Sequence, residues 1–402
     1  MREAIFGMNI LQIVSSARVS GAEKHVIVLA DWLRRRGHHV TALCPPGGWL
    51  SGQLRDVGVP VMEMKMHGLR SWATPMRLTQ FVRDNNIDLI HSHLTCATYY
   101  GFLSGRLAQR PVVSSVHVLT HDFVYRKLLP RRNNRIITVS DCVRDYLLGQ
   151  GVPDSHLRTI YNGTDFFAEE NSPRTLPSPQ ETLSPLSSYG EQPMASLLKA
   201  DNRTTQDQNL LPVRAELSLP PDAEVIGLIA RVGEFKGHPI LVQSVRKVVE
   251  ARPRAYFVCV GAVEPQMQRS LWEMAGADGV AERLRFTGVR NDVSRLMEAM
   301  DVVTLPSRFE ACSMSIIEAM AMGKPVIATR AGGNPELVQE GETGLLIERT
   351  PEALANALIS VLSDSSTCQR MGEAARNRAK TRFSAHVMVG HIEALYREML
   401  ET

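Results

Sequence analysis

The chain has 402 residues, enough for two or three domains of ordinary size. Lys plus Arg number 45 against 42 Asp plus Glu, a net charge of +3, too near neutral for a protein whose main business is coating nucleic acid. With 44% hydrophobic and 22% charged residues it reads as an ordinary soluble globular chain, which excludes wholesale disorder, collagen and coiled coil.

The opening MREAIFGMNILQIV has a short apolar run and no signal-peptide pattern. No stretch reaches the ~20 apolar residues of a membrane span, so none is expected. Ile10–Val14 has strand length; after the loop Ser15–Gly21, Ala22, Val26, Leu29 and Leu33 recur at helical spacing, and Gly37 stops the helix. His39–Leu43, Ile87–His91, Val112–Val116 and Ile136–Val139 are further strand candidates, each followed by a polar or helical stretch. That alternation predicts βαβ units and a parallel sheet.

Residues 168–212 break the rhythm with six prolines, many Ser, Thr and Gln, and a lone aromatic, Tyr189. Such a composition buries too little apolar surface to offset its ordering entropy, so a disordered linker or insertion is expected. The alternation then resumes with strands at Val225–Ala230, Tyr256–Val260, Leu284–Thr287, Val302–Leu305 and Val326–Ala328. Helices are expected at 238–251, 265–276, 291–299, 314–322 and 351–362, the fourth stopped by Gly323 and Pro325. Residues 366–400 read as helical, with an apolar stripe of Val387, Ile392, Leu395 and Met399. The expected organisation is two Rossmann-like halves, 1–167 and 213–383, joined through 168–212. A terminal helix, 384–402, is a candidate to pack back on the first half.

In open α/β sheets ligands sit outside the carboxyl ends of the strands. Gly21 stands there before a helix, where a missing Cβ allows close backbone approach and the helix end favours anions. A simple turn explains it equally. Arg231 and Lys236 follow the strand Val225–Ala230 and suit a diphosphate, whose charge must be neutralised as it leaves. Two solvated surface cations are the bland alternative.

Glu310 precedes the helix 314–322 and Glu318 lies within it. Eight residues of helix span about 12 Å, but a loop-borne Glu310 can fold back toward the same ligand. Carboxylates accept from vicinal hydroxyls, so sugar hydroxyls are natural partners. Ile316, Ile317, Ala319, Met320 and Ala321 around Glu318 point to a buried role. Ser313 is a candidate N-cap that leaves the amides of Met314 and Ser315 free for an anion or hydroxyl.

His91, His93, His117 and His121 gather near strand ends without the Asp/Glu spacing of a metal site. His117, aimed by Val112–Val116, is the preferred substrate hydrogen-bonding residue. Six cysteines (44, 96, 142, 259, 312 and 368) show neither CxxC nor zinc spacing, so reduced thiols in a cytoplasmic enzyme are expected. Arg126, Lys127, Arg131, Arg132 and Arg135, with Leu128 and Leu129, form a stretch that can meet anionic lipid or simply be solvated.

The set of motifs resembles retaining nucleotide-sugar glycosyltransferases of glycosyltransferase family 4. It comprises FEACSMSIIEAMAMGKPVIAT with Glu310-x7-Glu318, ARVGEFKG at 230–237, FTGVRNDVSRLMEAMDVVTLPS at 286–307 and AGGNPELV at 331–338. SGAEKH, DLIHSHL, SVH, VSDCVRDYL and IYNGTD carry it in the first half. Ser20 stands where the family's loop often has a second Gly, and Ala311 where Gly is frequent.

The resemblance implies the α/β GT-B fold, two Rossmann-like domains facing each other across a cleft. It implies a nucleotide-diphosphate sugar donor and a glycan or lipid-linked acceptor, with no nucleic acid and no metal or other cofactor. Arg231 and Lys236 would hold the diphosphate, Glu310 the donor sugar and Glu318 the ribose. Backbone near Ser313, Met314 and Ser315 would approach sugar or phosphate, Gly21 would let the first-domain loop close on the donor, and His117 would contact the transferred sugar. Cell-surface polysaccharide or lipopolysaccharide assembly is the expected setting, with the inner membrane face a candidate location. A disaccharide synthase, a sugar-nucleotide epimerase or a non-catalytic nucleotide-sugar-binding scaffold are the alternatives. A nicotinamide dehydrogenase is disfavoured because no GxGxxG follows the first strand.

Overall fold

A computed structural model describes residues 7–17, 19–66, 73–119, 123–131, 133–166 and 213–401. The expected linker 168–212, His121 and Arg132 lie outside the described residues.

The first domain alternates β1 (Asn9–Val14), α1 (Gly21–Arg35), β2 (His39–Cys44), α2 (Trp49–Asp56), β3 (Val61–Glu63), α3 (Ala73–Asp84), β4 (Leu89–His93), α4 (Thr95–Ala108), β5 (Val112–Val116), β6 (Arg135–Thr138), α5 (Asp141–Gly149) and β7 (Leu157–Thr159). All seven strands are parallel, in the order β3-β2-β1-β4-β5-β6-β7. Helices cover both faces, which is why β4 and β5 are buried along their whole length.

The second domain runs β8 (Glu224–Ile229), α6 (His238–Ala251), β9 (Ala255–Val260), α7 (Pro265–Ala277), β10 (Leu284–Gly288), α8 (Val293–Glu298), β11 (Val302–Leu305), α9 (Met314–Ala321), β12 (Val326–Thr329), α10 (Asn334–Leu337), β13 (Gly344–Ile347), α11 (Pro351–Ser363), α12 (Ser365–Arg382) and α13 (Ala385–Glu401). Its six parallel strands are ordered β10-β9-β8-β11-β12-β13. The order reverses beside β1 and β4 in one sheet and beside β8 and β11 in the other. The crevice outside those carboxyl ends is where such sheets take ligands.

Three strands escape the sequence reading. β3, β7 and β13 are edge strands of three or four residues, too short to show a period. The strand expected at Ile87–His91 is Leu89–His93 instead, because pairing with β1 sets its register at Ile10↔Leu89. Asp88 is spent outside the strand, its carboxylate accepting from the Asn9 amide at 2.8 Å.

The helical 366–400 segment is two helices that break at Phe383 and Ser384. At the break Thr164 bridges the two helices, its N–H donating to Phe383 O at 2.9 Å and its carbonyl accepting from the Ala385 N–H at 2.8 Å. The end of the first domain therefore lies beside the point where the chain returns to it. Beyond the break, Met388, Val389, Ile392, Leu395, Tyr396 and Met399 of α13 join Val26, Leu29, Ala30 and Leu33 of α1 in one apolar cluster. Val387, expected in that stripe, is only half-buried and lines an open surface cavity with Arg36 and His391.

Candidate active site

The stretch after β8 turns sharply to bring Lys236 against the loop after β11. Gly237 makes the turn with φ +82°, and a Cβ there would strike the Pro306 carbonyl oxygen. Lys236 Nζ then meets Glu310 Oε1 at 2.6 Å, with Glu310 buried. Gly332 does the same from the other side: with φ +57° it lets its loop pack on the Glu310 carbonyl, which accepts from the Gly333 amide at 2.8 Å. Glu310 is thus held by its backbone and paired by its side chain. Arg231 is exposed and makes no ion pair among the described residues.

Ser313 caps α9, its hydroxyl accepting from the Ile316 amide at 3.4 Å and lying 3.1 Å from Ser315 Oγ. The first amides of a helix, here those of Met314 and Ser315, have no intrahelical acceptor, so this end presents donors and partial positive charge. Gly21 opens α1 opposite it: a Cβ at Gly21 would come within 3.3 Å of Met314 Cγ. Two helix N-termini, one from each domain, therefore face each other at the cleft.

Glu318 is 2% exposed among fully buried Ile316, Ile317, Ala319 and Met320. Its partner comes from the first domain: Lys24 Nζ lies 2.9 and 3.1 Å from its two oxygens. Each carboxylate of the Glu-x7-Glu pair is therefore neutralised by its own lysine. The sequence does not point to Lys24, because a charge in a first helical turn reveals no partner 294 residues away.

His117 stands with His93 and with His25, which the sequence reading passed over. His93 Nδ1 and His117 Nε2 are 3.2 Å apart, and the ring centroids of the trio lie 4.9–5.5 Å from one another. Burial pushes the His25 pKa down to about 4. Burial first, and neighbouring imidazoles second, hold His93 and His117 well below the ordinary range. The imidazoles are neutral at pH 7, so each offers one donor and one acceptor, which suits a sugar hydroxyl.

The same trio offers three nitrogens within 4.8 Å of one another, the spacing of a loose metal cradle. The outer support of a metal site is missing: His93 Nε2 has no hydrogen-bond partner, and no carboxylate joins the group among the described residues. His91 stacks against His93 at 4.2 Å between ring centroids, but its own nitrogens are spent elsewhere. Its ring nitrogens meet Tyr396 Oη at 2.5 Å and Ser115 Oγ at 2.8 Å, tying the sheet to α13.

Two further contacts close the domains on each other. Glu336 of the AGGNPELV stretch accepts from the Asp141 and Cys142 amides, each at 2.7 Å, and from Tyr161 Oη at 2.9 Å. A carboxylate of the second domain so caps α5 of the first. Burial first, then Glu336, raises the Tyr161 pKa. Asn162 Nδ2 donates to the Cys312 carbonyl at 3.2 Å. All six cysteines are free thiols.

The basic stretch differs from its expected form. Leu129 is fully buried and Arg135 pairs with Glu398 at 3.5 Å, whereas Arg126, Lys127 and Arg131 are exposed. The apolar companions on the surface are Phe123 (61% exposed) and Val118 (54% exposed). No helix among the described residues is long and apolar enough to cross a membrane.

Residues 19–166 match the model of Glycosyltransferase Family 4, and residues 212–378 that of Glycosyl transferases group 1. A D-inositol 3-phosphate glycosyltransferase of Corynebacterium glutamicum (strain R) is 35% identical over 194 residues, 46% of each chain. The lipopolysaccharide core biosynthesis glycosyltransferase LpsE of Rhizobium meliloti (strain 1021) is 30% identical over 172 residues, 42% of this chain and 49% of that one. The chain thus spans about half the length of these relatives in each match. Among solved structures, Anabaena Alr3699/HepE in complex with UDP and glucose superposes with a TM-score of 0.78 at 22% identity, covering 96% of this chain and 98% of that one, and has the same fold.

Proposed function

Because the chain belongs to glycosyltransferase family 4 and has the GT-B fold, we propose that it moves a sugar from a nucleotide-diphosphate sugar to a glycan or lipid-linked acceptor with retention at the anomeric carbon. The observation that carries the donor reading is the Lys236–Glu310 pair at 2.6 Å, held at the switch point of the second sheet. A buried carboxylate beside a cation matches sugar hydroxyls beside a phosphate. The neighbour Anabaena Alr3699/HepE, solved with UDP and glucose, supports a nucleotide-sugar donor in this fold.

In this reading Lys236 and Arg231 neutralise the diphosphate as the bond from the anomeric carbon to its oxygen breaks. Glu310 accepts from hydroxyls of the sugar, and Glu318 from the ribose diol. The amides of Met314 and Ser315 beyond the Ser313 cap face sugar or phosphate, and Gly21 leaves room for the first-domain loop to close. His117 hydrogen-bonds the transferred sugar as a neutral imidazole.

Both cleft glutamates are engaged by lysines, so neither is a free nucleophile of the glycosidase kind. The acceptor oxygen attacks from the face the diphosphate leaves, and its proton passes to a leaving phosphate oxygen. The cations and the α9 N-terminus supply the positive charge, so the reaction needs no metal. Arg126, Lys127 and Arg131 with Phe123 and Val118 would hold the enzyme at an anionic membrane surface bearing a lipid-linked acceptor. The relative named a D-inositol 3-phosphate glycosyltransferase supports a second acceptor class, a small phosphorylated cyclitol.

The test is release of nucleoside diphosphate from UDP-, GDP- and ADP-sugars by wild type and Lys236→Ala, followed by NMR of the product's anomeric configuration. One donor turned over, with release lost in the variant and an unchanged anomeric configuration, is the expected result. Inversion refutes the retaining mechanism, binding of a donor without release favours the scaffold reading, and no binding of any donor refutes the donor reading. Sedimentation with anionic and neutral vesicles tests the surface; equal recovery with neutral vesicles in high salt refutes it.

A further inference from the structure

We propose that Lys24 is a donor-phosphate ligand that rests on Glu318 while the donor is absent. The proposal builds on the nucleotide-sugar reading above and adds a first-domain residue to it.

Glu318 is 2% exposed, and Lys24 is its hydrogen-bonding and ionic partner from across the cleft. A carboxylate in that apolar helix needs neutralisation or hydrogen-bond donors, and the ammonium supplies both in the empty cleft. A vicinal diol supplies two O–H donors to the same two oxygens. Its arrival takes over the role of Lys24 and displaces the ammonium, whose side chain is 27% exposed and so has room to move.

The displaced ammonium stays between two helix N-termini. It belongs to the first turn of the 15-residue α1, whose N-terminus opposes that of the eight-residue α9 through Gly21 and Met314. The acidic group in that turn, Glu23, is 1% exposed and its carboxylate accepts from the Ser20 hydroxyl. The Phe166 ring face lies 6.0 Å from Nζ, a cation–π contact that a partly exposed ammonium can leave at small cost. An ammonium freed between two helix N-termini calls for an anion, and the group joined to the ribose is the diphosphate. Lys24 from the first domain and Lys236 from the second would then grip one diphosphate, coupling donor binding to domain closure.

The experiment must separate phosphate contact from mere neutralisation of Glu318. Calorimetric titrations with a nucleoside diphosphate and with its parent nucleoside would compare Glu318→Gln with Glu318→Gln/Lys24→Met, both free of a buried unpaired carboxylate. Adding Lys24→Met is expected to weaken the nucleoside diphosphate at least tenfold and to leave the nucleoside unchanged. A steeper salt dependence in the variant that keeps Lys24 should accompany it. In the wild-type background, Lys24→Met should weaken the diphosphate while nucleoside binding holds or tightens.

Equal diphosphate affinity in the two Gln variants overturns the assignment, as does a parallel loss of nucleoside. Wild type that binds no nucleoside diphosphate overturns the underlying donor reading instead, so the two failures are distinct.

Discussion

Replacing Lys236 by alanine should damage catalysis and stability through two separable effects. The ammonium lies 2.6 Å from a buried carboxylate, a gross attraction of about 6 kcal/mol at an effective dielectric near ~20, before desolvation is set against it. The lysine side chain is 30% exposed, so solvent screens part of this. What remains on deletion is the cost of leaving Glu310 buried and unpaired, about 2 kcal/mol. For domains of this size that lowers Tm by roughly 4–8 °C.

In the proposed transfer, where Lys236 meets the leaving diphosphate, the variant also loses that cation, worth about 10²–10³-fold in turnover. Adding Glu310→Gln to Lys236→Ala removes the unpaired charge, so Tm should recover most of the loss while turnover does not. Differential scanning fluorimetry and coupled nucleoside-diphosphate release read the two effects. A single variant within about threefold of wild-type turnover, or a double variant no more stable than the single, would falsify the reasoning.

Glu336→Ala deprives the Asp141 and Cys142 amides and Tyr161 Oη of their acceptor, and should cost about 2 kcal/mol; hydrogen exchange should speed up at the start of α5 and stay unchanged in α6. His25, His93 and His117 are buried neutral, their folded pKa values below the ordinary 6.5. Their stabilisation is complete above about pH 6.5. It falls as pH drops through the folded values, which for His25 is about 4. Chemical denaturation between pH 7 and 4 should show stability falling, and His25→Gln should flatten the slope; an unchanged slope counts against buried neutral His25. Exhaustive chelation with EDTA should leave sugar transfer at full rate, and a loss restored by added zinc would assign the histidine trio to a metal instead.

Helices α6, α7, α9 and α11 lie within two residues of where periodicity and capping put them, and the Ser313 cap stands where it is expected. Those features depend on residues three or four apart, so a local string of side chains contains them. β3, β7 and β13 were not legible because a short edge strand is defined by its neighbour's hydrogen bonds rather than by its own pattern.

The amino-acid sequence by itself determined the alternation of strand and helix, the two sheets and the burial of Glu318 among apolar neighbours. Those follow from backbone periodicity and from the cost of exposing apolar surface. Tertiary structure alone decided the partners: Lys24 with Glu318, Glu336 with the first turn of α5, His25 with His93 and His117, and Tyr396 with His91. A charge or an imidazole carries no period that points to a residue some 200 or 300 positions away. Such pairs exist because two parallel sheets turn their switch points toward one cleft while the last helix returns to the first domain.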